Sequence, residues 1–130
     1  MIKNKYIDLI EQTFYFPRHG FDLRDNELSF YDIPLVELIE KYGSPLKFTY
    51  LPKIDAQITQ AKQLFTKAIE KYDYKGQYHY CYCTKSSHFS FVIERALKNN
   101  IGLETSSVYD LDIIDKLNQK GLFDKSKPIV

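Results

Sequence analysis

Lys85 ends a run of alternating side chains, Tyr78-His79-Tyr80-Cys81-Tyr82-Cys83-Thr84-Lys85. On a strand, the tyrosines and Thr84 fall on one side and His79, Cys81, Cys83 and Lys85 on the other. A lysine at the carboxyl end of a strand, in line with small semi-apolar thiols, has two chemical uses. In water it extends its aliphatic stem and solvates its ammonium. In a partly dry pocket, desolvation lowers a lysine pKa from its ordinary value of about 10.4, and the neutral amine forms a Schiff base with an aldehyde or carbonyl compound. Ser86, Ser87 and His88 then lead into an apolar helical pattern, so Lys85 stands where a strand hands over to a helix. In parallel α/β folds ligands bind at that edge.

Glu104 is the second candidate. Within Ile101-Gly102-Leu103-Glu104-Thr105-Ser106-Ser107 it ends the next strand, on the same edge as Lys85 and in place to pair with its charge. It equally suits a carboxylate that complements the dipole of the helix that follows. His79, Cys81, Cys83 and His88 are types that zinc prefers, but ligands at every second position of one strand are too linear for a tetrahedron. No metal site is expected. A Cys83–His88 nucleophilic pair lacks an orienting third group and an oxyanion hole in the sequence. Gly43, Gly76, Gly102 and Gly121 are isolated, so no glycine-rich phosphate loop is present.

These residues need a scaffold, and 130 residues are enough for one domain with a real core. Eighteen basic residues against seventeen acidic leave a formal charge of +1 with no basic stripe, which argues against nucleic acid as a partner. Charges interrupt the apolar residues of Met1 to Ile10, unlike a signal peptide, and no apolar run approaches a membrane span. A cytoplasmic location with no membrane partner is the expectation. Two cysteines one residue apart on a strand would make a strained bridge, which argues for reduced thiols.

Ile2, Tyr6, Leu9, Ile10 and Phe14 predict a short amphipathic helix ended by Pro17 and Gly20. Phe21 to Ile33 alternates about Asp25-Asn26 as a hairpin, and Leu35, Leu38 and Ile39 predict a helix that Gly43 stops. Leu46 to Leu51 reads as a strand between Pro45 and Pro52. Ile54, Ile58, Ala61, Leu64, Phe65, Ala68 and Ile69 predict a long helix, and Phe89 to Lys98 a shorter one. Ile101 to Thr105 is a short strand. Ser106 or Ser107 caps a helix burying Val108, Leu111, Ile114 and Leu117, and Pro128-Ile129-Val130 begins a further strand. Strand starts near Tyr78, Ile101 and Ile129, each interval holding one helix, predict βαβ units with a parallel sheet. A closed (β/α)8 barrel needs about 250 residues, so the chain is expected to be the N-terminal portion of a longer protein.

Three motifs carry a resemblance. Tyr82-Cys83-Thr84-Lys85-Ser86-Ser87 resembles the Tyr-Ala-x-Lys-Ala-Asn strand of the fold-type III (alanine-racemase-like) pyridoxal-phosphate decarboxylases, whose lysine holds the cofactor. Tyr42-Gly43-Ser44-Pro45-Leu46 resembles the Tyr-Gly-Thr-Pro-Leu of diaminopimelate and related basic amino-acid decarboxylases. Leu103-Glu104-Thr105-Ser106-Ser107-Val108-Tyr109-Asp110-Leu111 resembles their Val-Asp-x-x-Ser-x-x-Glu-Leu. The overall likeness, from about Phe21 onward, is nearest to bacterial arginine decarboxylases.

The resemblance implies an α/β fold: the N-terminal part of a (β/α)8 barrel (residues 46–130), preceded by a helix and strand or hairpin segment (1–45) that joins a C-terminal β-domain absent from this chain. It implies that Lys85 holds pyridoxal 5'-phosphate as a Schiff base and that Glu104 lies beside the cofactor. The implied activity is decarboxylation of a basic amino acid, arginine to agmatine in polyamine biosynthesis, by a homodimer or higher homo-oligomer. The alternatives are diaminopimelate or ornithine as substrate, and a non-catalytic pyridoxal-phosphate-binding homologue. Ser86-Ser87 in place of Ala-Asn and Glu104 in place of aspartate depart from the pattern. The family's phosphate loop, the carboxylate facing its pyridine nitrogen and its proton-donating cysteine all lie later in such chains.

Overall fold

The computed structural model describes residues 20–130. The helix expected over Ile2 to Phe14 lies outside them. The chain divides between Phe48 and Thr49 into two units, three residues beyond the boundary expected at 45/46.

The first unit is built on two tight turns. β1 (Phe21–Arg24) and β2 (Glu27–Phe30) pair antiparallel, with Phe21 opposite Phe30 and Arg24 opposite Glu27. Asp25 and Asn26 both have positive φ, 50° and 65°, the conformation that matches a two-residue turn to the twist of its strands. The same device recurs at Tyr31 and Asp32, φ 46° and 68°, and returns the chain to a two-residue β3 (Ile33–Pro34) against β2. Phe30 packs on Phe21 and on Phe48, with ring centroids 4.8 and 5.5 Å apart. Helix α1 (Leu35–Tyr42) ends at Gly43, whose φ of 83° favours glycine and whose N–H donates to Ile39 O at 2.7 Å.

Leu46 to Leu51 forms no strand. An alternating apolar run becomes a strand only where a neighbour satisfies its amides, and none of the described strands pairs with it.

The second unit begins with α2 (Pro52–Lys71), Pro52 occupying the first turn where its missing N–H costs nothing. Then follow β4 (Cys81–Cys83), a 3₁₀ turn (Thr84–Ser86), α3 (Ser90–Leu97), β5 (Gly102–Glu104) and α4 (Val108–Gln119). β4 and β5 are parallel, with Cys81 opposite Gly102 and Cys83 opposite Glu104. Ile129 bridges Leu103, also parallel; Leu103 N–H donates to Pro128 O and Val130 N–H to Leu103 O, both at 3.0 Å. Successive strands are therefore spatial neighbours with one helix in each interval, the βαβ pattern read from the spacing. What these residues form is a mixed helix and strand arrangement with small sheets, and no barrel closes among them.

Helices cover one face of the parallel sheet. Ile93, Leu103, Ile114, Leu117 and Phe123 make one cluster, and Ile58, Ala96 and Ile101 a second, with Tyr82 and Leu97 packed against both. Each fully buried branched side chain contributes about 1.5–3 kcal/mol. Asp55 cross-links α2 to α3: it accepts from Arg95 Nε at 2.7 Å and Asn99 Nδ2 at 2.8 Å, which holds its carboxyl below the usual range. Lys62 Nζ closes the end of α3 by donating to the carbonyls of Asn99 and Asn100, at 2.7 and 3.1 Å. Among the described residues no helix is long and apolar enough to cross a membrane.

Candidate active site at the carboxyl edge of the parallel sheet

Alternation sorts the sheet into unlike faces. Tyr80 and Tyr82 pack into the helical clusters, and Thr84 beyond them is fully buried. Cys81, Cys83 and Glu104 lie on the opposite face and are each half-buried. The tyrosine side therefore builds the core, and the thiols are only half-buried. Both cysteines are free. Burial pushes the Cys81 thiol up, and the Glu104 charge adds to it, so Cys81 keeps its proton at neutral pH. Gly102 is required between these groups: a Cβ there would collide with the Pro128 carbonyl and press on Cys81 Sγ.

The strand expected to run to Lys85 stops at Cys83. Thr84 turns away because its hydroxyl donates to Glu104 O at 3.0 Å, which ties the end of β4 to the end of β5. The 3₁₀ turn closes when Ser87 N–H donates to Thr84 O at 3.1 Å. Lys85 lies within this turn, exposed, at the carboxyl edge. Among the described residues it forms no ion pair, with Glu104 or any other carboxylate. The partly dry surroundings that would favour a neutral amine are not formed by the described part of this unit.

A carboxylate to which the sequence assigned no role is bonded to the residues that follow both strands. Asp110, in the first turn of α4, is 1% exposed. Its Oδ2 accepts from Ser106 N–H at 2.9 Å and from Ser107 Oγ at 3.0 Å, and its Oδ1 faces His88 Nε2 at 2.9 Å. The Ser106 N–H does most to hold this carboxyl far below the usual carboxylate range; burial opposes it, and His88, Ser107 and Thr84 add to the lowering. Ser107 is the N-cap, its Oγ accepting from Asp110 N–H, as expected for one of the two serines. The spacing Ser107-x-x-Asp110, an acidic residue three positions after a serine cap, lies within the stretch matched to Ser-x-x-Glu, although no role was attached to Asp110 there. The link to His88, 22 residues away, depends on β4 and β5 lying side by side.

A cleft of about 590 Å³ opens at the other edge of the sheet, among Lys62, Thr66, His79, Asn100, Lys127 and Pro128. It does not include Lys85 or Glu104. No three His, Cys, Asp or Glu side chains among the described residues are grouped to hold a metal ion. His79, Cys81, Cys83 and His88 are thus not assembled as a ligand set. No family model, curated protein or solved structure matches the chain.

Proposed function

We propose that Lys85 is the Schiff-base lysine of a pyridoxal-phosphate-dependent decarboxylase of basic amino acids, with arginine as the first substrate, and that this chain is the N-terminal part of that enzyme. The supporting observation is an exposed lysine at the carboxyl edge of the parallel sheet, in the turn after a strand whose last residue pairs with Glu104. The residues present fit the cofactor's aldehyde in chemical kind: Lys85 offers a primary amine, and Glu104 a carboxylate at the same edge. Pyridoxal phosphate, when bound, supplies the electron sink for loss of carbon dioxide. The chain supplies the rest: Lys85 gives the attachment point, the Thr84–Glu104 bond fixes the turn that carries it, and the covered face holds both strands in register.

Arginine ranks first through the motif resemblance. Selection among basic amino acids rests on the group that meets the far end of the side chain: a guanidinium takes a planar, bidentate carboxylate, and the diaminopimelate terminus takes an arginine or backbone donors. The test is carbon dioxide release by the full-length protein from arginine, ornithine, lysine and diaminopimelate, compared as kcat/KM. The expected result is preference for arginine by about tenfold or more, equivalent to about 1.4 kcal/mol of transition-state discrimination. Preference for diaminopimelate overturns the substrate and spares Lys85. No release from any substrate, with pyridoxal phosphate still attached at Lys85, makes the protein a non-catalytic cofactor-binding homologue.

A further inference from the structure

The amino edge of the parallel sheet, opposite the edge that carries Lys85, holds the cleft of about 590 Å³. That volume falls within the range of roughly 300–1,000 Å³ common to small-molecule sites. Three parallel segments enter the sheet at its floor, and main-chain bonds pin them: Gly102 N–H donates to Tyr80 O at 2.9 Å and Leu103 N–H to Pro128 O at 3.0 Å. Lys62 is held at one wall by the carbonyls of Asn99 and Asn100, which take two of its three N–H groups and leave one. Lys127 lines the same cleft, half-buried, from a turn closed by its own N–H on Asp124 O at 2.9 Å. His79 lines it too, and among the described residues no Asp or Glu does. The Asp124 carboxylate feels the Lys127 charge, but it accepts from Ser126 N–H at 2.8 Å and stays outside the lining. Lys75 and Lys125, by contrast, are each paired with an aspartate. A cleft lined by one sign of charge focuses its field on a counter-ion. Tyr78 and Ile69 add an apolar wall, and the Phe65 ring backs Tyr78, stacked at 4.0 Å.

We propose that this cleft is a binding site for a small phosphate monoester with a flat apolar body. The phosphate oxygens accept from Lys62 and Lys127, and the body lies on the wall made by Tyr78 and Ile69. Phosphate ranks above carboxylate because lysine recognises it as a point charge, whereas a planar carboxylate is held best by the arginine fork, and no arginine lines the cleft. Thr66, also in the lining, brings a hydroxyl donor for a further phosphate oxygen. The site does not rest on the Lys85 reading, since neither Lys85 nor Glu104 lines it.

The test is titration of the full chain with phenyl phosphate and with inorganic phosphate, followed by backbone ¹H–¹⁵N shifts. Saturable shifts are expected at Asn100, Gly102, Ser126 and Lys127, with phenyl phosphate binding about tenfold tighter than inorganic phosphate because its ring leaves water. Lys127→Met should weaken phenyl phosphate by about tenfold, the loss of one charge-assisted hydrogen bond. It is the cleaner substitution, because its turn is closed by main-chain atoms, whereas removing Lys62 also strips the carbonyls at the end of α3. An unchanged pattern of shifts outside the cleft shows that the variant is folded. Lys85→Ala, at the opposite edge, should bind phenyl phosphate as the wild type does. Shifts that do not saturate or that spread over the surface lysines overturn the proposal, as does wild-type affinity in Lys127→Met or lost binding in Lys85→Ala. Equal affinity for the two phosphates overturns the apolar body.

Discussion

The two faces of the β4–β5 sheet are made by the same residues in alternation, yet they do different work. On the covered face Ile101 and Leu103 are buried under α3 and α4, with Tyr80 and Tyr82 beside them. On the other face Cys81, Cys83 and Glu104 remain half-buried. Packing density pins the first face. The second offers small side chains and one carboxylate, and leads at its carboxyl end to the turn that carries Lys85. Stability and candidate chemistry therefore lie one residue apart along the strand, and can be perturbed separately.

Truncation on the covered face should have the larger effect on stability. Leu103, with no exposed surface, touches the main cluster. Leu103→Ala should cost about 3 kcal/mol, measured by urea denaturation. Cys83→Ala, on the half-buried face, should cost under about 1 kcal/mol, because less apolar area returns to water. Equal losses would mean that the two faces are packed alike.

A smaller effect separates the edge from the core by pH. Asp110 has a folded-state pKa below its unfolded value of 3.8, so its contribution to stability is complete above that value and is lost as pH falls through the folded one. Asp110→Asn should thus be less stable than wild type at pH 7, and the gap should narrow as pH falls below about 4. A gap that is constant down to pH 2 would show that the carboxylate charge adds nothing.

Much of the α/β unit was legible because its signals are local. The apolar spacing from Ile54 to Ile69 located α2, Gly43 marked the end of α1, and the even intervals between strands implied parallel pairing. The hairpin followed from Asp25-Asn26. What failed was non-local. Leu46 to Leu51 has strand composition, but composition does not supply a pairing partner. The strand at Tyr78 was drawn too long because β-prone residues continue to Thr84, whereas the Thr84–Glu104 bond turns the chain sooner. At the edge, Lys85 and Glu104 are candidates read from position and motif; they lie after β4 and at the end of β5, and the expected charge pair between them is not formed. Asp110 stood at the glutamate of the quoted motif but received no role, because nothing in a stretch of helix tells that its third residue will be buried against a histidine from the preceding βα turn.

The central claim is that Lys85 is the lysine that takes pyridoxal phosphate. The measurement is borohydride reduction of the full chain with pyridoxal phosphate, followed by peptide mapping of the stable adduct, in the wild type and in Lys85→Ala and Lys85→Arg. The expected result is one dominant adduct on Lys85 that both variants lose, arginine included because a guanidinium stays charged and forms no imine. An adduct on another lysine, one spread evenly over the surface lysines, or none at all would contradict the account.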